Sequence, residues 1–386
     1  MTDERKIDAA RPLDGITVVE MGHSVAAPFG GQILADLGAR VVKIEKPGAG
    51  DDARTWGPPF WHGAATVFQS LNRNKISAVV DMKDEVQLGK LRHFLETETD
   101  VVIQNMRPGL VDRYGIGAGV RERNPRLIYC NLGAFGAKGP YVERPGYDPL
   151  MQAFGGIMSI TGEEGRPPVR VGPPLVDMGS GMWSVIGILA ALRRREITGE
   201  GCEVDTSLYE TALSWVSSHT AMYLATGDIP GRIGSENPTL APYKVFEASD
   251  HYVLIAAGND NLFRRLSEAL GHREWAEDER YATNPERVKR RAEVNAMVQA
   301  AVATKTRDEW VAILEKVGVP CAPLQSVDEI IDHPQTEALG MMQNTPDGAM
   351  RLMGLPISFD GERPETRLGP PTLGNGSDVV LGDDED

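Results

Sequence analysis

Asp177 stands in the run Pro173-Pro174-Leu175-Val176-Asp177-Met178-Gly179-Ser180-Gly181, directly ahead of a long apolar helical pattern. Read from its neighbours alone, it is a helix N-cap, a position that Asp favours. A helix N-terminus also stabilises a carboxylate and keeps it ionised. His23 follows the first apolar run, on the turn where open α/β sheets place ligands; a hydrogen-bonded structural histidine would sit there equally well. Other chemistries lack their residues. Gly133-Ala134-Phe135-Gly136-Ala137-Lys138-Gly139 fails as a P-loop, because no Ser or Thr follows the Lys. The first strand leads into Gly22-His23-Ser24-Val25-Ala26-Ala27, not GxGxxG. HExxH and GxSxG do not occur, and the 7 His residues are scattered. Cys130, Cys202 and Cys321 are far apart and form no metal-type pair. Metal, nicotinamide and serine-hydrolase chemistry are therefore not expected.

The elements that must hold these residues alternate strand and helix. Residues 16–21 (ITVVEM), 41–45 (VVKIE), 77–82, 101–104 and 126–131 (RLIYCN) read as buried strands. Helical patterns at 28–37 and 86–95 fall between them, so the strands are expected to form parallel βαβ units and a doubly wound α/β sheet. Residues 179–195 form a strong helix pattern with basic residues in the last turn. A strand at 202–206 and a helix at 207–225 follow. Residues 227–242 are rich in Gly and Pro and read as a connection. A second pattern begins at 252–257, with helices expected at 261–270, 285–303 and 307–317. The end of the chain, 382–386, is acidic and expected to fray.

The chain has 386 residues, enough for a large and a smaller domain. Its net charge of -15 argues against nucleic acid as a main partner. The polar first residues lack a signal-peptide core, and no run approaches the roughly 18 apolar residues of a membrane span. Sparse cysteines fit a reducing compartment. A cytoplasmic protein without a membrane partner is the expectation.

Several well-separated stretches carry a family likeness: PLDGITV at 12–18, ADLGARVVKIEKP at 35–47, GDDARTW at 50–56, NRNK at 72–75, residues 105–110 with 112–115, Gly146-Tyr147-Asp148, and GPPLVDMGSG at 172–181. Together they resemble the class III CoA-transferases, the family of formyl-CoA:oxalate transferase and the carnitine CoA-transferases. GDDARTWGPPF and ITGEEGRPPVR most resemble the branch that uses succinyl-CoA and dicarboxylates such as glutarate. The resemblance implies a Rossmann-like large domain with a parallel sheet, a smaller α+β domain, and an interlocked homodimer. The expected segments are 1–226 for the N-terminal part of the large domain, 227–330 for the small domain with its linker, and 331–386 returning to the large domain.

The resemblance further implies that Asp177 is a covalent nucleophile, passing through an aspartyl anhydride and an aspartyl-CoA thioester. By the same match, CoA contacts fall on His23, Val25, Ala26, Lys46, Val80, Asp81, Met82, Lys83, Asn105, Met106, Arg107 and Arg113. Tyr147 and Asp148 are expected beside the nucleophile. No cofactor is implied, since coenzyme A enters as acyl-CoA substrate and leaves on a small carboxylic acid. Val25 departs from the formyl-CoA branch, which has Gln there. That branch's glycine-run loop is missing, and residues 257–261, with Gly258 and Asn259, take its place as a lid or as a plain capped loop. Arg54, Arg73 and Arg170 are the cations considered for an acceptor's second carboxylate. An α-methylacyl-CoA racemase is the alternative enzyme, but Tyr147 replaces a His of its motif. A non-catalytic CoA-binding protein is the third reading.

Overall fold

In the computed structural model, residues 11–382 are described. The polar first ten residues and the acidic end from 383 lie outside them, as do the expectations placed there.

Paired β-branched residues build the central strands. Val18-Val19, Val41-Val42 and Val101-Val102 are all buried, because each strand faces protein on both sides. These strands belong to β1 (Thr17–Met21), β2 (Arg40–Glu45) and β4 (Val101–Gln104). With β3 (Lys75–Val79), β5 (Ile128–Gly133) and β6 (Glu203–Ser207) they form one parallel sheet in the order β3-β2-β1-β4-β5-β6. Val18 pairs with Val41 on one side and Val101 on the other. The strand order reverses between β1 and β4, which opens a crevice beyond their carboxyl ends.

Helix α1 (Ala26–Asp36) covers one face together with α4 (Leu175–Thr198), around Val18, Ile103, Ile128 and Ile188. Helix α2 (Glu85–Thr97) covers the other face, burying Leu88, Leu91, Phe94 and Leu95 against Val19, Val42 and Val102. Asp84 caps α2 by accepting from the N–H groups of Val86 and Gln87. Helices α1 and α4 approach closely because Gly181 has no side chain. A Cβ there would lie 2.6 Å from the Ala26 carbonyl oxygen and 3.1 Å from the Gly30 nitrogen. Among the described residues, α4 is the one helix whose length and apolarity would suffice to cross a membrane, which the reading of the sequence missed; 50% of that stretch is buried in the protein.

Two long sequence-predicted helices are each split in the structure. Residues 207–225 form α5 (Leu208–Trp215) and α6 (Ser217–Thr226), with Ser207 capping α5. Residues 285–303 form α8 (Asn284–Lys289) and α9 (Arg291–Val302). The chain divides into two compact units. The first contains the chain up to Ile157, Arg170–Thr226 and the chain from Pro334 onward. The second contains Met158–Val169 and Gly227–His333. Residues 158–169, kept with the large domain in the sequence reading, thus cluster with the second unit. That unit has an antiparallel sheet of β7 (Tyr243–Glu247), β8 (Tyr252–Ala256) and β9 (Cys321–Pro323). Helices α7 (Asp260–Ala269), α9 and α10 (Arg307–Lys316) pack on it around Phe246, Val253, Leu266, Val298, Trp310 and Leu314.

Within the first unit, the end of the chain lies along the edge strand β3. Ser77 N–H donates to Asn375 Oδ1, Gly376 N–H to the Ser77 carbonyl, and Val79 N–H to Ser377 Oγ.

Candidate active site

The crevice at the sheet's reversal point is bridged by backbone and side chain. His23 N–H donates to Asn105 Oδ1 at 3.0 Å, and Asn105 Nδ2 donates back to the His23 carbonyl at 3.0 Å. This reciprocal pair ties the turn after β1 to the end of β4. Beside it lies a cavity of about 330 Å³. Seven residues expected to contact CoA line it: His23, Lys46, Val80, Asp81, Met82, Lys83 and Met106. Arg107 lines a neighbouring cavity of about 290 Å³ that shares Met106. Arg113 is exposed on a short helix and lines neither. Val25 and Ala26 line neither and are buried at the start of α1. Burial lowers the His23 pKa below its ordinary value, so the imidazole is neutral at pH 7.

Beneath the turn runs a chain of buried charges that the sequence reading missed. Glu20, Lys43, Asp51 and Lys75 are all buried. Glu20 meets Lys43 and Lys75, each at 2.7 Å, and Lys43 meets Asp51 at 2.8 Å. Lys43 also donates to the Gly22 carbonyl at 2.8 Å. Asp51 Oδ1 accepts from Ser24 N–H and Ala53 N–H. Glu45 accepts from Asp51 N–H, Arg54 and Ser77. The motifs ADLGARVVKIEKP and GDDARTW contain four of these charged residues, Lys43, Glu45, Asp51 and Arg54, but spacing along the chain gives no sign that they meet.

Asp177 sits differently from its sequence expectation. The helix begins at Leu175, with Pro174 in the cap position, so Asp177 is inside the first turn rather than ahead of it. Asp148 performs the capping role. Its Oδ2 accepts from Val176 N–H at 2.7 Å and Asp177 N–H at 3.2 Å. Gln152 donates to Asp148 Oδ1 at 2.6 Å, and its own Oε1 accepts from Val171 N–H at 2.8 Å. Asp148 and Gln152 lie one turn apart on α3 (Asp148–Phe154), so both face the start of α4. Tyr147, one residue earlier, is exposed.

Asp177 is buried, at 9% exposure, and no ion pair reaches its carboxyl among the described residues. Its pKa is pushed up to about 7, first by desolvation and then by the nearby Asp148 charge. This reverses the expectation that the helix N-terminus would keep it ionised, because Asp148 takes up the N–H groups that would have supplied that effect. A carboxylate desolvated and without a cation is a strong nucleophile once it loses its proton.

Gly258 and Asn259 belong to the second unit. Asn259 caps α7 by accepting from Leu262 N–H. Fully buried Arg287 donates to the carbonyls of Gly258, Ala241 and Tyr281 and to Asp260. The 257–261 segment is therefore a capped, pinned loop within its unit. Of the three arginines considered for a second carboxylate, Arg54 is committed to Glu45 and Arg73 to Asp36. Arg170 is exposed and, among the described residues, donates to the Gly172 carbonyl. No group of His, Cys, Asp or Glu suited to hold a metal occurs among the described residues.

Comparison with known proteins agrees with the motifs. The family described as CoA-transferase family III matches residues 13–377. The chain is 38% identical over 378 residues to an acetyl-CoA:oxalate CoA-transferase of Acetobacter aceti, covering 97% of this chain and 96% of that protein. It is 38% identical over 337 residues to a succinate–glutarate CoA-transferase of Agrobacterium fabrum, covering 86% and 84%. A CaiB/BaiF family protein from Brucella suis superposes with a TM-score of 0.87 at 40% identity, covering 96% of this chain and 98% of that one. With a six-stranded parallel sheet, a crevice at its reversal point and this likeness over nearly its whole length, the chain belongs to CoA-transferase family III and is a CoA-transferase.

Proposed function

We propose that the protein moves CoA from succinyl-CoA or a similar acyl-CoA to a small dicarboxylate, with Asp177 as the covalent nucleophile. The observation that carries this is the buried, unpaired Asp177 carboxyl in the first turn of α4. Asp177 attacks the donor thioester carbonyl, forming a mixed anhydride and expelling CoA thiolate. The thiolate attacks the aspartyl carbonyl, giving an aspartyl-CoA thioester and releasing the donor acid. The acceptor carboxylate attacks that thioester and again expels thiolate. The thiolate then takes the acceptor's acyl group and frees Asp177. Each step exchanges one activated carbonyl for another, so the thioester energy is kept. Desolvation raises the nucleophile's reactivity and shields the anhydride from water.

The cavity lined by His23, Lys46 and Lys83 suits the phosphates and adenine of CoA, having cations at its rim and Val80, Met82 and Met106 on its walls. Two kinds of relative bear on the acceptor: one named for oxalate, others for glutarate. Both acids are dicarboxylic. Arg170 is the cation best placed to hold the second carboxylate. Its neighbour Val171 is tied through Gln152 to Asp148, and its own guanidinium is not consumed by a buried acid.

A homodimer forms part of the same proposal. Helix α6 buries none of its residues, and Tyr223 and Leu224 on it are exposed. Trp183, Ile186 and Trp215 on α4 and α5 are also exposed. An apolar surface of this kind is suited to a second copy of the chain. Light scattering of the purified protein should give twice the chain mass at all working concentrations; a folded monomer would refute the dimer.

The catalytic test compares succinate, glutarate, mesaconate and oxalate with butyrate and carnitine as acceptors. Dicarboxylates should exceed butyrate in kcat/KM by about 2–5-fold, the size of an ion pair to a solvent-exposed Arg. Arg170→Met should erase most of that margin. Asp177→Ala should lower transfer by more than about 10³-fold while CoA still binds. Residual turnover of several per cent would end the nucleophile assignment.

A further inference from the structure

Burying ions in protein is costly. A buried ion pair roughly breaks even against an apolar replacement, so four charges at the base of one turn call for a geometric reason. The turn supplies one. Ser24 has φ +71, a left-handed conformation that non-glycine residues avoid. The residues around it are gripped from both sides. Lys43 donates to the Gly22 carbonyl before His23 at 2.8 Å. Asp51 accepts from the Ser24 N–H after His23 at 3.0 Å. Lys43 and Asp51 are themselves paired at 2.8 Å. Lys75, joined to Lys43 through Glu20, donates to the Pro28 carbonyl in the first turn of α1. His23 Nδ1 lies 3.0 Å from Ser24 Oγ, so the ring is coupled to the strained residue.

We propose that Asp51, oriented by Lys43, is a positioning residue: it holds the turn at residues 22–24 in its left-handed shape and so sets His23 against the cavity where acyl-CoA binds. The inference rests on the assignment of that cavity to CoA made above. Asp51 also accepts from Ala53 N–H, which caps a short 3-10 helix. A merely structural role would end there.

The two roles differ in the sign of an affinity change. Asp51 lines the cavity, so removing its charge takes a negative group away from the phosphates of CoA. Simple electrostatics then gives tighter binding. Loss of positioning gives weaker binding.

The experiment titrates free CoA into the full-length protein by calorimetry, for wild type, Asp51→Ala, and Asp51→Ala with Ser24→Gly. Asp51→Ala should weaken CoA about tenfold, because a misplaced turn loses pre-organised contacts. Ser24→Gly should restore at least about threefold of that, since glycine takes φ near +71 without strain. Should Asp51→Ala not fold, Asp51→Asn carries the test with the same expected direction. It keeps an acceptor for Ser24 N–H but loses the counter-charge of Lys43. A folded Asp51 variant that binds CoA as well as wild type or better overturns the positioning role, as does failure of Ser24→Gly to restore binding. Absence of CoA binding by the wild type would instead overturn the assignment of the cavity.

Discussion

The pair of carboxyls at the start of α4 makes acidity a property of neighbours rather than of one residue. Asp148 takes the amide groups of Val176 and Asp177, and burial first, with the Asp148 charge second, raises the pKa of Asp177 from 3.8 to about 7. The folded protein therefore holds that proton more tightly than the unfolded chain. Between pH 3.8 and about 7 the unfolded state binds fewer protons, so stability from this group falls as pH rises through that window and stays at its lower value above it. Asp177→Asn removes the effect. The variant should be inactive, more stable than wild type at pH 8 by about 1–3 kcal/mol, and nearly unchanged at pH 4; denaturant melts at the two pH values measure this. The wild-type kcat/KM should rise with pH through about 7, as Asp177, the proposed nucleophile, ionises in the free enzyme. Asp148→Asn should move that rise to lower pH. A profile unmoved by Asp148→Asn would mean that burial alone sets the pKa. Asp177 was legible in the sequence through its motif, but its protonation was not. That depends on Asp148 lying 29 residues away in sequence yet against its own amide.

At the scale of elements, the sheet strands were legible because short runs of paired valines and isoleucines between turn residues suit a strand covered on both faces. Helix ends were less so. The pattern starting at 179 counts apolar residues, while the helix starts at Leu175 because an acid on another helix satisfies its first amides. Two predicted long helices break, at Val216 and at Arg290, where no proline or glycine marks the break. Glycines in GPPLVDMGSG serve packing as well as marking a family. Gly179 faces Trp215 and Thr211, and Gly181 faces the backbone of α1. Gly181→Ala should cost about 1–3 kcal/mol, because its Cβ meets a carbonyl oxygen that cannot turn aside. A thermal midpoint within a degree of wild type would contradict that packing. Since α1 begins beside His23 and α4 bears Asp177, the same substitution should also reduce kcat.

For the whole molecule, the first unit is assembled from three separate stretches of chain. Sequence periodicity could not disclose this, since it reports neighbours along the chain only; the expectation of a returning C-terminal part came from family likeness. Residues 374–377 supply partners for an edge strand near residue 77, about three hundred positions upstream. Without those partners, Ser77 and Val79 would present free amide groups along an open sheet edge, the kind of surface that invites pairing between chains. A ribosome makes the protein from the other end. At about 5–20 residues per second, β3 emerges many seconds before the segment that seals it. During synthesis the nascent chain thus holds an unsealed edge until residues 374–377 have left the exit tunnel, so the edge is closed by chain made about three hundred residues after the strand it protects.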